Sequence, residues 1–216
     1  DLNVIITHYH KDHFGDIGAL QYASYVYHNL GLLDKKIKIY LPKNDIGFNK
    51  ASITSNNESY SDYYDIDNSY SFSIDNLNIT FEDNNSHTIE SYMVKLQNKD
   101  FKIIYTSDIG TTNLSNLVDF CKDADLIICE SSFLQKHNAN SKTHMTAYDA
   151  GFLASKSNAQ KLLFLQSNEP TSPYFMIGIK PDEPIVLEDK QGTEESKIEK
   201  TFSSISSERR EIKLSK

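Results

Sequence analysis

The chain has 216 residues, of which 38% are apolar and 24% charged, and its formal net charge at neutral pH is −8. That length is enough for one domain with a sizeable core and is too short for two full domains. The acidic balance argues against a broad nucleic-acid footprint, and no apolar run reaches the roughly 20 residues of a membrane span, so we expect a cytoplasmic protein without a membrane partner.

The first part of the chain is predicted to form two strands around one helix. A short β-branched apolar run predicts a buried strand at residues 2–7, and an alternating pattern that ends at Pro42 predicts a second strand at 37–41. Between them, apolar residues recur at helical spacing from 16 to 30, and Gly31 supplies a stop signal, which together predict an amphipathic helix. From 43 to 68 the chain turns to Asn, Ser, Asp and Tyr without a clear period. We therefore expect a surface excursion there, with no buried element.

The middle of the chain is predicted to form an antiparallel meander, because four strand signals follow one another closely. These signals span 70–74, 77–82, 91–97 and 101–106. Helix and strand signals then alternate, which predicts an α/β half. They comprise helices at 113–121 and 147–157, strands at 126–129 and 161–165, and an N-cap at Thr146.

Two cysteines and the C-terminal segment complete the organisation. Cys121 and Cys129 lie in separate predicted elements without a C-x-x-C pattern, which favours buried small hydrophobic residues over a disulfide or a thiolate zinc site. A closing strand is predicted at 185–189. We expect one domain over residues 1–190 and a polar tail, helical or disordered, over residues 191–216.

The segment from His8 to His13 concentrates the chemistry, because it reads H-x-H-x-D-H. Side chains two residues apart on an extended segment project to the same side, so His8 and His10 can reach one ion. Asp12 and His13 are adjacent, so they diverge and can serve a second ion. Imidazole and carboxylate donors suit Zn²⁺, and two metals a few ångströms apart suit hydrolysis at a carbonyl or phosphoryl centre. The alternative is a polar loop of unliganded histidines, which would gather four ionisable groups without a cation.

This motif resembles the signature of the metallo-β-lactamase superfamily. The run DIGALQYA at 16–23 resembles the short-form ribonuclease Z-like branch, and the resemblance spans about residues 2–166. It implies an α/β (α+β) fold, namely an αββα four-layer sandwich with a dinuclear site at one sheet edge. Relatives place several strands before the motif, whereas seven residues precede His8 here. We therefore expect the N-terminal strands to be lacking, either because the chain is a fragment or because it is a degenerate copy.

The resemblance also implies roles for four downstream residues. His87 looks like the third histidine of the first metal, and Asp108 looks like the carboxylate that bridges both metals. Glu130 and His144 look like the carboxylate and the histidine that ribonuclease Z-type enzymes place beside the scissile phosphate.

Three of these four residues have a structural alternative. Asp108 could close a turn before a glycine, His87 could be a surface histidine, and His144 could be a residue at the start of a helix. Two further histidines are expected to be solvated, because His28 lies on the predicted helix without metal-like neighbours and His137 lies in a polar loop.

The implied mechanism is the attack of a metal-bridging hydroxide on a phosphodiester phosphorus. Asp12 would orient or deprotonate this nucleophile while also ligating the second metal. His144, held by Glu130, would donate hydrogen bonds or a proton toward the leaving oxygen. The expected cofactor is Zn²⁺ at two sites, with Mn²⁺ or Fe²⁺ as alternatives.

One position departs from the family pattern. Relatives carry another histidine at the end of the strand predicted at 161–165, where this chain has Gln166. A neutral amide is a poor zinc ligand, so we expect Asp12, His13 and Asp108 to hold the second metal weakly and activity to be reduced.

Two functions from different classes remain open. The first is a metallo-hydrolase of the ribonuclease Z type, a phosphodiesterase or endonuclease that acts on the 3′ end of RNA, as in tRNA processing, or on a small phosphodiester. The second is an impaired or non-catalytic metal-binding relative. The net charge of −8 weighs against a long nucleic acid held by the protein surface. The expected partner is thus a phosphodiester substrate, with RNA as one option, and a homodimer is left open.

Overall fold

The computed structural model describes residues 2–44, 48–55, 59–133, 142–165 and 174–178. Within these ranges the helices are α1 (Lys11–Phe14), α2 (Ile17–Asn29), α3 (Phe48–Thr54), α4 (Leu114–Cys121) and α5 (Ala147–Lys156). The strands are β1 (Asn3–Ile5), β2 (Ile37–Pro42), β3 (Ser61–Ile66), β4 (Ser71–Ile74), β5 (Leu77–Asp83), β6 (Tyr92–Gln97), β7 (Lys102–Tyr105), β8 (Leu126–Glu130), β9 (Lys161–Leu165) and β10 (Tyr174–Gly178).

The strands form two sheets. The smaller sheet has the order β1-β2-β3 and is parallel throughout. The larger sheet has the order β10-β9-β8-β7-β6-β5-β4. Its β4 to β7 half is the predicted antiparallel meander, whereas β7, β8 and β9 run parallel. Parallel neighbours need a crossover connection, and α4 and α5 lie in the two crossovers.

Alternating side chains on these strands create three apolar layers. On β2, Ile39 and Leu41 pack with the residues of the α2 and α3 side, while Tyr40 packs between the sheets. The Tyr40 ring stacks on Phe72 of the larger sheet at a centroid distance of 3.9 Å. The opposite face of the larger sheet packs against α4 and α5, where Met93 of β6 is buried. Three apolar layers separate four structural layers, so the αββα sandwich is confirmed.

Most of the predicted elements are confirmed. The strands of the meander, the helix after the histidine motif and the α/β half all occur within a few residues of their predicted bounds. Thr146 caps α5 as predicted, in a reciprocal capping box with Asp149. Cys121 and Cys129 are free and fully buried, and burial raises the pKa of Cys121 to about 12, so the prediction of small hydrophobic residues is confirmed.

The prediction of a surface excursion over 43–68 is wrong. That stretch contains α3 and β3, and β3 pairs with β2 along its whole length. Ile53 and Ile66 are each buried and anchor the two elements. An edge strand needs few apolar residues, since one face and one edge remain wet. The Tyr and Asp residues of β3 therefore do not show the alternation of apolar and polar residues that would predict a strand.

The short helix α1 and the strand β10 were not predicted either. The predicted strand at 185–189 and the polar tail over 191–216 lie outside the described residues, as do His137 and Gln166. No helix within the described ranges has both the length and the hydropathy to cross a membrane.

The capping box of α5 gives a test of local stability. Thr146 Oγ1 accepts from the Asp149 amide at 3.2 Å, and Asp149 Oδ2 accepts from the Thr146 amide at 3.0 Å. Thr146→Ala is expected to lower the free energy of unfolding by about 1 kcal/mol in urea denaturation, because the Asp149 amide loses its acceptor and the Asp149 carboxylate loses the hydroxyl donor. The control is Ser155→Ala on an exposed site of the same helix, which should change stability by less than about 0.5 kcal/mol. Equal effects of the two substitutions would contradict this account of the cap.

Candidate metal centre

Segments at strand ends bring the predicted site residues together. Because β7 and β8 run parallel, their C-terminal ends lie at the same edge of the larger sheet, where Asp108 follows β7 and Glu130 ends β8. His8 and His10 follow β1 of the smaller sheet, and the Tyr92 amide at the start of β6 donates to the Thr7 carbonyl at 3.1 Å. This hydrogen bond joins the two sheets beside the site.

Four of the predicted residues form one cluster. His8, His10, His87 and Asp108 each place a ligand atom within 4.8 Å of the others. His87 Nε2 lies 3.0 Å from His10 Nδ1, and the Nε2 atoms of His8 and His87 each lie 3.8 Å from Asp108 Oδ2. Two ligands of a tetrahedral zinc ion, each ~2.1 Å from the metal, lie roughly 3.4 Å apart. The spacing therefore suits a shared cation.

His8 supplies the strongest sign of a cation. Its side chain is 0% exposed, and its Nε2 atom finds no hydrogen-bond partner among the described residues. Its Nδ1 atom lies 3.2 Å from Thr7 Oγ1 and 3.3 Å from Ser107 Oγ. Burial, with repulsion from His13, lowers the pKa of His8 to about 3, so the ring is neutral, which is the form that binds metals. An unpaired buried nitrogen is costly, and a metal at Nε2 would remove that cost.

His87 is fixed in one tautomer by a backbone carbonyl. Its Nδ1 atom lies 3.0 Å from the Thr143 carbonyl oxygen, which can only accept, so Nδ1 carries the proton. The lone pair on Nε2 then faces His10 and Asp108. Burial lowers the pKa of His87, which also favours the neutral ring. Histidine ligands are commonly oriented in this way by a partner on the other nitrogen.

Asp108 faces a different set of groups with each oxygen. Oδ2 faces His8 and His87, whereas Oδ1 lies 3.3 Å from His13 Nε2. Burial raises the pKa of the Asp108 carboxyl, but the hydrogen bond and positive charge of His13, with the other rings, outweigh it and the net pKa is lowered. An anionic carboxylate with groups on both sides suits the bridging position between two cations.

The second-metal residues are less enclosed. Burial lowers the pKa of His13, but its hydrogen bond to Asp108 and the charges of Asp108 and Asp12 outweigh burial, and the net pKa is raised. Asp12 Oδ2 lies 3.5 Å from His13 Nε2, and the Asp12 side chain is 66% exposed. Asp12 thus lies at the solvent-facing rim of the cluster rather than within it.

Glu130 and His144 form a hydrogen-bonded pair beside the cluster. His144 Nδ1 lies 2.6 Å from Glu130 Oε1, which also accepts from Ser132 Oγ, and the Met145 amide donates to Oε2 at 2.8 Å. Burial raises the pKa of Glu130, although these three hydrogen bonds oppose the rise. The His144 ring lies 5.1 Å from the His87 ring between centroids. Ligand atoms of Asp108, Glu130 and His144 also lie within 4.8 Å of one another.

The sequence reasoning missed the polar side chains that hold the Asp108 loop. Asn84 Nδ2 donates to the Asp108 carbonyl at 2.8 Å, and Ser91 Oγ donates to the same oxygen at 3.3 Å. Ser107 has a φ of 58°, and its hydroxyl lies 2.7 Å from Thr7 Oγ1. The run Asn84-Asn85-Ser86 before His87 was the available signal, but a sequence does not separate buried polar residues from a surface loop.

His28 lies apart from this cluster. It is exposed, as predicted, and its ring stacks on Tyr60 at a centroid distance of 3.6 Å.

Comparisons with known proteins agree with this geometry. A family model described as beta-lactamase superfamily domain matches residues 2–165. The Bacillus subtilis protein named Probable metallo-hydrolase YhfI is 30% identical over 161 residues, which cover 74% of this chain and 63% of that protein. Ribonuclease Z of Sulfurisphaera tokodaii is 33% identical over 89 residues, which cover 41% of this chain and 29% of that protein. The chain thus spans less than two thirds of the length of either curated relative.

Solved structures show the same fold. The crystal structure of YhfI matches with a TM-score of 0.69 at 26% identity, over 77% of this chain and 65% of that one. The short form of human tRNase Z matches with a TM-score of 0.59 at 22% identity, over 82% of this chain and 79% of that one. The second likeness is one of fold alone.

Metal affinity tests the four-residue cluster. His87→Ala is expected to weaken zinc binding by more than roughly 100-fold, beyond the loss typical of an outer partner, because it removes a ligand. Competition of the purified, metal-free protein with a chromophoric chelator measures this affinity. His28→Ala is the matched control and should bind zinc like the unaltered chain. Unchanged affinity in His87→Ala would rule out His87 as a ligand.

Ser107 allows a separate test of whether a hydroxyl near His8 Nδ1 orients the His8 ring. Ser107→Ala keeps the Cβ atom and its backbone strain but removes one of the two hydroxyls near His8 Nδ1. Zinc affinity is expected to fall roughly tenfold, the effect of losing an outer partner. Ser71→Ala, at an exposed position on β4, should leave the affinity unchanged. Equal affinities for the two variants would show that the Ser107 hydroxyl does not orient His8.

Proposed function

The chain belongs to the metallo-β-lactamase superfamily, a family of hydrolases with ribonuclease Z-like relatives, and from that premise we propose that it is a metal-dependent phosphodiesterase. The observation that carries the proposal is the Glu130–His144 pair. It places a polarised imidazole beside the candidate metal cluster, where a leaving oxygen would need a donor.

The donor set fits divalent metal ions of the zinc type. His8, His10, His87 and Asp108 would hold the first ion, and Asp108, His13 and Asp12 would hold the second. When bound, such ions lower the pKa of water and polarise a phosphoryl oxygen. The buried, unpartnered Nε2 atom of His8 supports this assignment, because it offers a lone pair that the described residues leave unused.

In this proposal His144 is the general acid, and Glu130 orients its ring. Glu130 accepts from His144 Nδ1, which fixes the ring and leaves Nε2 on its opposite side for the substrate. From that position Nε2 would donate a hydrogen bond or a proton to the leaving oxygen. Since the Glu130 side chain is only 4% exposed and has three donors, it holds the ring in a single orientation.

Asp12 takes the complementary role at the rim. Its exposed carboxylate can accept a proton from the attacking water and pass it to solvent.

The likeness to ribonuclease Z supports phosphodiesters as the substrate class. The 3′ end of RNA and small phosphodiesters are the two forms to compare. The net charge of −8 favours the smaller substrate.

A second candidate function rests on Gln166. An amide at the position where relatives carry a histidine favours a metal-binding protein that retains one ion and does not turn over. The two functions differ in metal stoichiometry and in catalysis. Two metals per chain with hydrolysis of bis-p-nitrophenyl phosphate support the enzyme, whereas one metal or none without turnover supports the second candidate. Parallel assays with a transfer-RNA precursor separate the two substrate forms.

His144 provides the decisive variant. His144→Ala is expected to lower kcat for bis-p-nitrophenyl phosphate by about 100-fold or more, because it removes the donor to the leaving oxygen. Metal content, measured by elemental analysis, should stay at the level of the unaltered chain. His28→Ala is the control for loss of a histidine and should keep full activity. Loss of metal in His144→Ala would instead identify His144 as a ligand, which its distance from Asp108 also allows.

A further inference from the structure

Gly110 lies two residues after Asp108, where another part of the chain packs directly on its backbone. A Cβ atom built on Gly110 would lie 2.0 Å from the Lys142 carbonyl oxygen and 2.6 Å from the Thr143 nitrogen. Both distances are below any contact that a real Cβ makes, so no side chain fits. Gly110 is not among the described glycines with a positive φ, unlike Gly31. This glycine is therefore needed for space and not for an unusual backbone conformation.

The Gly110 loop is tied to two other segments. The Gly110 amide donates to both the carbonyl oxygen and the hydroxyl of Ser86, each at 3.1 Å, and Ser86 directly precedes His87. On the other side, Thr112 Oγ1 donates to the Lys142 carbonyl at 3.1 Å. The loop thus sets the distance between the His87 segment and the segment that begins at Lys142.

The segment 142–145 carries three contacts of the site in consecutive residues. The Thr143 carbonyl accepts from His87 Nδ1, His144 pairs with Glu130, and the Met145 amide donates to Glu130 as well. A shift of this segment would move the acceptor that orients His87 and the His144 ring at the same time. Raising the distance of 2.0 Å to 3.0 Å, below which Cβ atoms essentially never approach another atom, requires such a shift of at least about 1 Å.

We propose that Gly110 is a positioning residue that couples the candidate metal cluster to His144. Because Gly110 has no side chain, the 142–145 segment can approach it closely. The Thr143 carbonyl then orients His87, and the His144 ring lies beside the His87 ring. The part that concerns His144 rests on the proposed function. The part that concerns His87 rests on metal binding alone and stands without turnover.

Gly110→Ala is the direct test on the full chain. Zinc affinity, measured by chelator competition, is expected to fall about tenfold or more, because the partner of His87 is displaced. The Nδ1 proton of His87, observed by nitrogen-15 NMR and assigned with His87→Ala, is expected to shift or disappear. The matched control is Gly151→Ala in α5, where an added Cβ meets no described atom within 4 Å. This variant should keep both the zinc affinity and the His87 proton resonance of the unaltered chain.

Turnover distinguishes positioning from general damage. With zinc at a saturating concentration, Gly110→Ala is expected to lower kcat strongly in the unaltered chain and to add no further loss in a His144→Ala background, because the contribution of Gly110 through His144 is already absent there. Additive losses would show that Gly110 does not act through His144. If the unaltered chain does not turn over, the proposed function fails, while zinc affinity and the His87 proton still test Gly110.

Thr112→Val covers the case in which Gly110→Ala does not fold. This variant removes the hydroxyl that holds the Lys142 carbonyl without adding an atom in the contact. Zinc affinity is then expected to fall about fivefold, the value of one hydrogen bond. Wild-type zinc affinity together with an unchanged His87 proton signal, in Gly110→Ala or in its substitute Thr112→Val, would overturn the proposal.

Discussion

The site depends on one buried carboxylate held among imidazole rings. Asp108 directs one oxygen to His8 and His87 and the other to His13. Burying an anion costs free energy unless positive charge or hydrogen-bond donors compensate for it. The rings do so here, since the net pKa of Asp108 is lowered despite burial. The remaining features of the site keep this carboxylate and these rings in register.

Each layer of the sandwich contributes one part of that register. The smaller sheet carries His8 and His10 on the segment after β1, while parallel β7 and β8 of the larger sheet deliver Asp108 and Glu130 to one edge. The apolar layer between the sheets, where Tyr40 stacks on Phe72, fixes the two sheets against each other. Packing of this kind is close to incompressible, so the groups at the edge keep distances of a few ångströms.

Two local features of the site are unfavourable in free energy. Ser107 has a left-handed backbone, and the Nε2 atom of His8 is buried without a partner among the described residues. Each feature costs on the order of 1–3 kcal/mol. Such terms persist only where the surrounding structure over-determines them, and hydrogen bonds from Asn84 and Ser91 to the Asp108 carbonyl supply part of that support. A bound cation would offset the cost at His8.

The sequence by itself determined the family, the order of most strands and helices, and the residues that now surround Asp108. H-x-H-x-D-H spacing and hydrophobic period are local properties, so they are readable without a fold. The tertiary structure decided what depends on distant contacts. It made an edge strand of 61–66 by pairing it with β2, and it placed Asp12 at the rim rather than in the cluster. It also gave Gly110 a role, because the segment that passes over it is 32 residues further along the chain. No sequence pattern records such a contact, since only the packed layers bring the two segments together.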